Sequence, residues 1–145
     1  MIKKIAFITL AILISSCSKD QSPKGALKSF IKLRFQSGTS RGELLDRSTG
    51  QLYSTIEDLN QDELDKFLDL KNFKLKNFKV LSRRCTEVKC VINYLISYSE
   101  TKSQTTVVTE VKKSAILVRE EDSWKLSDVT NIKTYHDSQT PLQVN

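Results

Sequence analysis

The chain has one histidine, His136, and three cysteines among its 145 residues. A single imidazole leaves little for a histidine-built metal site or a histidine-centred catalytic triad. Three cysteines are too few for a disulfide scaffold, and a chain of this length can bury a core without one. Only two prolines occur, Pro23 and Pro141, both near the edges, so the stretch between them reads as one compact domain. There is no internal repeat and no low-complexity tract. No G-x-S-x-G elbow, phosphate-binding P-loop, G-x-G-x-x-G or H-E-x-x-H stands anywhere in the sequence. No carboxylate is isolated on an apolar strand face, where burial would raise its pKa for general-acid work. What the chain has in excess is positive charge, 23 basic against 17 acidic side chains, a formal +6. That excess suits nucleic acid or an anionic surface, and the address of the protein must choose between them.

The address lies in the first residues, MIKKIAFITLAILISSC. Lys3 and Lys4 precede an uncharged apolar run from Ile5 to Ile14. As a helix that run reaches about 15 Å, half of a hydrocarbon core of ~30 Å, so it reads as a signal-peptide segment and not a span. The run ends in Ile14-Ser15-Ser16-Cys17, which resembles the lipobox of bacterial lipoproteins, although leucine is commoner at the position of Ile14. The alternative is an ordinary secretory signal with a chance cysteine. The resemblance implies cleavage before Cys17, lipid attachment to its thiol, and two hydrophobic anchors on the first mature residue, enough for stable membrane attachment. Ser18 follows in place of the aspartate that often retains such proteins at the inner membrane. The expected location is therefore the cell envelope, at the outer membrane facing the periplasm. Removing Lys3 and Lys4 lowers the formal charge by two, to +4. A tethered envelope protein has no nucleic acid to meet, so the charge is read as affinity for anionic envelope components or as solubility.

The expected organisation is a cleaved leader over 1–16, a lipidated tether over 17–22, one domain over 23–135 and a polar tail over 136–145. Ser22-Pro23 opens a helix, serine as N-cap and proline at the first helical position. Ala26, Leu27, Phe30, Ile31 and Leu33 then make one apolar face. Ser40-Arg41-Gly42-Glu43 fits a capping box, and Asn60-Gln61-Asp62-Glu63 gives another start. From Phe73 onward the period changes to two. Cys90, Ile92, Tyr94, Ile96 and Tyr98 share one face of a strand, and Val107, Val111, Ala115 and Leu117 share one face of another. Phe73 and Leu75 are out of phase with Phe78 and Val80, which places a bulge or bend near Lys76-Asn77. Helices followed by an antiparallel meander predict an α+β fold, with two or three N-terminal helices packed on a sheet of four or more strands.

The order of elements, with Leu117 to Val129 reading LVREEDSWKLSDV and Pro23 to Phe35 reading as an apolar helix, resembles the nuclear transport factor 2-like (cystatin-like) fold and the small bacterial lipoproteins that share it. The resemblance spans roughly residues 22–134. It implies a strongly curved sheet with helices in its concavity and a cleft between them. Enzymes of that superfamily, dehydratases and isomerases among them, place an Asp–His pair or an isolated acid in this cleft. Here His136 falls in the expected tail, and Asp128 belongs to the strand motif, where a turn or backbone hydrogen bond is the expected task.

Cys85 and Cys90 flank four residues and face each other across a predicted hairpin. In an oxidising compartment that geometry suits a disulfide. Lys71, Lys74, Lys76, Lys79, Arg83, Arg84 and Lys89 form a basic stretch after the acidic Glu57, Asp58, Asp62, Glu63, Asp65 and Asp69. It reads as a solvated edge whose lysines deter edge-to-edge pairing, or as a surface for an anionic envelope ligand. Phe30, Tyr94, Tyr98 and Trp124 are candidates to line the cleft. No cofactor, metal ligand or catalytic residue is predicted. The expected function is an anchored envelope lipoprotein whose domain binds a protein or envelope ligand without catalysis. The alternatives are a small-molecule enzyme of dehydratase or isomerase type, or an immunity or inhibitor lipoprotein.

Overall fold

The first helix begins where its capping chemistry starts. Ser22 accepts a hydrogen bond on its hydroxyl from the Gly25 N–H at 3.0 Å, and Pro23 opens α1 (Pro23–Arg34). A computed structural model of the chain describes residues 21–139; Cys17 and the expected leader lie outside the described residues. Leu27, Phe30, Ile31 and Leu33 form the buried face of α1. Gly38, at φ +79°, turns the chain away from it. The helices α2 (Arg41–Leu45) and α4 (Gln61–Phe67) start with reciprocal capping boxes, Ser40 with Glu43 and Asn60 with Glu63. Hydrogen bonds from Ser40 hold the Glu43 carboxyl below its usual range. Between them lies α3 (Gly50–Asp58), whose last carbonyls are capped by Arg41: it donates to Glu57 O at 2.8 Å and to Leu59 O at 2.6 Å. A 3-10 turn, Asp69–Asn72, leads into the sheet.

Four strands follow: β1 (Lys74–Cys85), β2 (Lys89–Lys102), β3 (Thr105–Glu120) and β4 (Ser123–Gln139). They form one antiparallel sheet in the order β1-β2-β3-β4. Its inner face carries Cys90, Ile92, Tyr94 and Ile96 from β2, Val111, Ala115 and Leu117 from β3, and Leu126 from β4, all buried. Against this face pack α1 together with Leu44, Ile56 and Leu64, one from each later helix.

The pairing is interrupted four times, and each interruption resets which side chains face inward. Between β1 and β2 the register shifts at Leu75/Asn77 and at Val80/Ser82. The first shift lies at Lys76 and accounts for the change of apolar phase between Leu75 and Phe78. The second leaves Leu81 exposed. Between β3 and β4 the extra residues are Ile132 and Ser127. The bulge at Ile132 turns an isoleucine to solvent and lets inward positions recur three residues apart instead of two.

The helical half is stitched to the far end of the sheet. Ser48 forms a parallel bridge with Leu126; Leu126 N–H donates to Arg47 O at 2.9 Å, and Thr49 N–H donates to Leu126 O at 2.8 Å. The buried Ser48 hydroxyl donates to Leu44 O at 2.6 Å. The Thr49 hydroxyl hydrogen-bonds the Glu120 carboxylate. This short segment therefore covers part of the open edge of β4.

Two expectations change here. Two or three helices packed on a curved sheet in the nuclear transport factor 2-like manner are not what the chain builds. Among the described residues there are four short α-helices, none longer than the 12 residues of α1, and strand takes 50% against 31% for helix. A long meander with small helices dominates. The start of α3 carries no capping pattern, because the Thr49 hydroxyl is spent on Glu120; the helix is legible instead from Leu52, Ile56 and Leu59 at helical spacing. The second change concerns the tail. β4 continues past the boundary expected at Tyr135, through His136 to Gln139, with His136 opposite Thr109 in the register.

Candidate functional site

The inner face of the sheet carries a polar row among apolar ones. Tyr94 on β2 stands opposite Lys113 on β3, and Lys113 stands opposite Asn131 on β4. The next row is Ile96, Val111 and Thr134. Asn131 and Thr134 can both face inward because the bulge at Ile132 lies between them. Above these rows lie α1, bringing Arg34, and α3, bringing Leu52 and Thr55. Together they enclose a cavity of about 440 Å³. That volume lies within the range of small-molecule sites, roughly 300–1,000 Å³.

Arg34 is fixed before any ligand arrives. Its Nε and Nη2 donate to Phe67 O at 3.3 and 3.0 Å, and its guanidinium lies 4.0 Å from the centre of the Phe67 ring. The arginine thus caps the end of α4 and ties it to α1. Tyr98 is held by rings on two sides, Phe35 at 5.5 Å and Phe73 edge-on at 5.3 Å. Burial pushes the phenol of Tyr94 far above its usual range and that of Tyr98 upward, so both hydroxyls stay protonated at neutral pH. Burial, and then repulsion from Arg34, lowers the pKa of Lys113. Asp128 lines the same cavity. The ion pairs among the described residues are Lys102 with Glu100, Arg119 with Asp122 and Lys125 with Glu120, so neither Arg34 nor Lys113 is neutralised by Asp128.

Of the aromatic residues expected at the cleft, Phe30, Tyr94 and Tyr98 meet in this cavity. Trp124 does not: it stands opposite Arg119 near the β3–β4 turn and packs against the core there. Arg34 and Lys113 were missed from sequence. Lys113 did carry a signal, because it stands in phase with the inward-facing Val111, Ala115 and Leu117, where a cation is out of place. Arg34 follows the buried Leu33 in the last turn of α1, where a cation is ordinary and gives no signal.

Cys85 and Cys90 are opposite each other at the end of the β1–β2 hairpin, with Cα atoms 4.0 Å apart and sulfur atoms within bonding distance. Thiol titration of the unfolded, air-oxidised Cys17→Ser chain is expected to find no free thiol. Two free thiols per chain would show that the pair remains reduced. Reduction is expected to cost about 2 kcal/mol, the small effect of closing a short loop. The basic residues Lys74, Lys76, Lys79, Arg83 and Arg84 line β1 as exposed side chains on the open edge of the sheet. Among the described residues no group of three His, Cys, Asp or Glu side chains is placed to hold a metal ion. No helix among them is long and apolar enough to cross a membrane.

No family model matches the chain, and no curated protein matches it. Solved structures do. A SEC-C motif containing protein from Rhodopseudomonas palustris superposes with a TM-score of 0.58 at 7% identity, over 78% of this chain and 80% of that one. The intermembrane space region of the chloroplast protein ARC6 superposes with a TM-score of 0.54 at 8% identity, over 75% of this chain and 92% of that one. Both likenesses are of fold alone.

Proposed function

We propose that the chain is an envelope lipoprotein, anchored through lipid on Cys17 at the outer membrane, whose domain binds a small ligand without transforming it. The Ile14-Ser15-Ser16-Cys17 sequence supports the anchor. One observation carries the binding reading: the cavity between α1, α3 and the sheet joins apolar walls to a few convergent polar groups, the usual make-up of a ligand site.

Thr55 is exposed at the cavity on α3, so a larger side chain there should block the cavity and spare the core. N-phenyl-1-naphthylamine, a neutral probe that brightens in apolar surroundings, is expected to bind the unaltered chain saturably. Thr55→Trp should weaken that binding about tenfold, the loss of roughly 1.4 kcal/mol, with the unfolding temperature unchanged. Undiminished binding to Thr55→Trp would remove the cavity from consideration.

A second reading, a small-molecule enzyme, is favoured by Asp128 and Tyr94, which put an acid and a phenol in one cavity. The two readings part on Asp128→Asn. A binding protein keeps its probe affinity and has no turnover to lose. An enzyme shows turnover that this variant abolishes.

A further inference from the structure

Arg34 enters the cavity with one side of its fork in use. The Nε and Nη2 protons on that side converge on Phe67 O, while the ring of Phe67 lies against the guanidinium. A guanidinium has five N–H donors, so the end-on pair formed by the two terminal nitrogens keeps its protons for another acceptor. Two parallel N–H groups in one plane match a head group with two equivalent oxygens. Lys113 supplies a second cation from the sheet, opposite Tyr94 in the register. The Tyr94 hydroxyl is held protonated by burial and is therefore a donor to any anion beside it.

The charges in the cavity do not balance. Arg34 and Lys113 bring two positive charges and Asp128 one negative, and no ion pair among the described residues joins them. Like charges sharing a poorly solvated space are unfavourable, and a group that brings one negative charge relieves them. Beside this polar row, Ile96 and Val111 offer an apolar wall. We infer that the cavity takes an amphipathic organic anion, its singly charged two-oxygen head group held between Arg34 and Lys113 and its apolar part against Ile96 and Val111. The inference rests on the reading of this cavity as a binding site and adds the chemistry of the ligand.

The test is displacement of N-phenyl-1-naphthylamine from the Cys17→Ser chain by decanoate, decanol and decyltrimethylammonium, which share a chain length and differ in charge. Decanoate is expected to displace the probe at a concentration about tenfold below that of decanol, with decyltrimethylammonium the weakest. Lys113→Gln should remove most of that preference and leave decanol unchanged. Arg34→Lys keeps the charge and loses the fork, so it should weaken decanoate about tenfold and spare decanol. Thermal unfolding of each variant reports that it folds, and Lys113→Gln carries the test if Arg34→Lys disturbs the contact with Phe67. Equal displacement by decanoate and decanol, or a preference that survives both substitutions, would overturn the anion inference while the probe signal upholds the cavity as a site. No probe binding by the unaltered chain would overturn the site and the inference together.

Discussion

Leu126→Ala is expected to destabilise the domain by about 2–5 kcal/mol, the range for emptying a buried leucine site. Leu126 is 0% exposed and stands opposite Leu117, also 0% exposed. Its backbone carries the two backbone hydrogen bonds that join the α2–α3 segment to the sheet. Alanine keeps that backbone, so the loss reports the side chain alone: the missing transfer energy plus the cavity left where helices and sheet meet. Against a total stability of roughly 5–15 kcal/mol for a domain of this kind, such a loss is severe. The measurement is the urea midpoint of the folded domain, set beside Leu81→Ala. Leu81 is 43% exposed at a bulge, and its truncation is expected to stay within about 0.5 kcal/mol. Equal midpoints for the two variants would mean that Leu126 is not part of the core.

Cys17→Ala is expected to convert an all-or-none property. On the proposed reading, two hydrophobic anchors on residue 17 would carry the mature chain with the membranes; without the thiol there would be no site for the first of them. Each buried methylene adds about 0.8 kcal/mol, so losing the chains removes far more affinity than any residual surface charge supplies. Metabolic labelling with a palmitate analogue should tag the unaltered protein and leave Cys17→Ala untagged, with the variant moving to the soluble fraction. Equal labelling of both would dispose of the anchor, and the binding reading of the domain would stand or fall separately on the cavity.

The sequence was most legible where local chemistry decides the outcome. Ser22 and Pro23, the Ser40–Glu43 box and the Asn60–Glu63 box each begin a helix with the bonds their side chains can form. The phase slip between Leu75 and Phe78 marked a real bulge. Legibility failed where a side chain answers to a distant partner. Thr49 shows no capping pattern because its hydroxyl serves Glu120, 71 residues away. Arg34 gives no sign in the sequence because its partner, Phe67 O, lies 33 residues on. The polar row of the cavity suffered the same way. Tyr94, Lys113 and Asn131 come from three strands, and only the register of the sheet, reset by the bulge at Ile132, makes them neighbours.

The parallel bridge between Ser48 and Leu126 has a bearing on how the chain assembles in time. Synthesis delivers residue 48 well before residue 126, so the helical half emerges before the strand it is stitched to exists. The amphipathic helices α2, α3 and α4 span 5, 9 and 7 residues, below the ~12–15 at which isolated helices become even marginal in water. Alone they are too short to be stable, so their settled form depends on the sheet they pack against. A chain cut short of Leu126 should therefore lack a settled helical layer, and with it the cavity above the sheet.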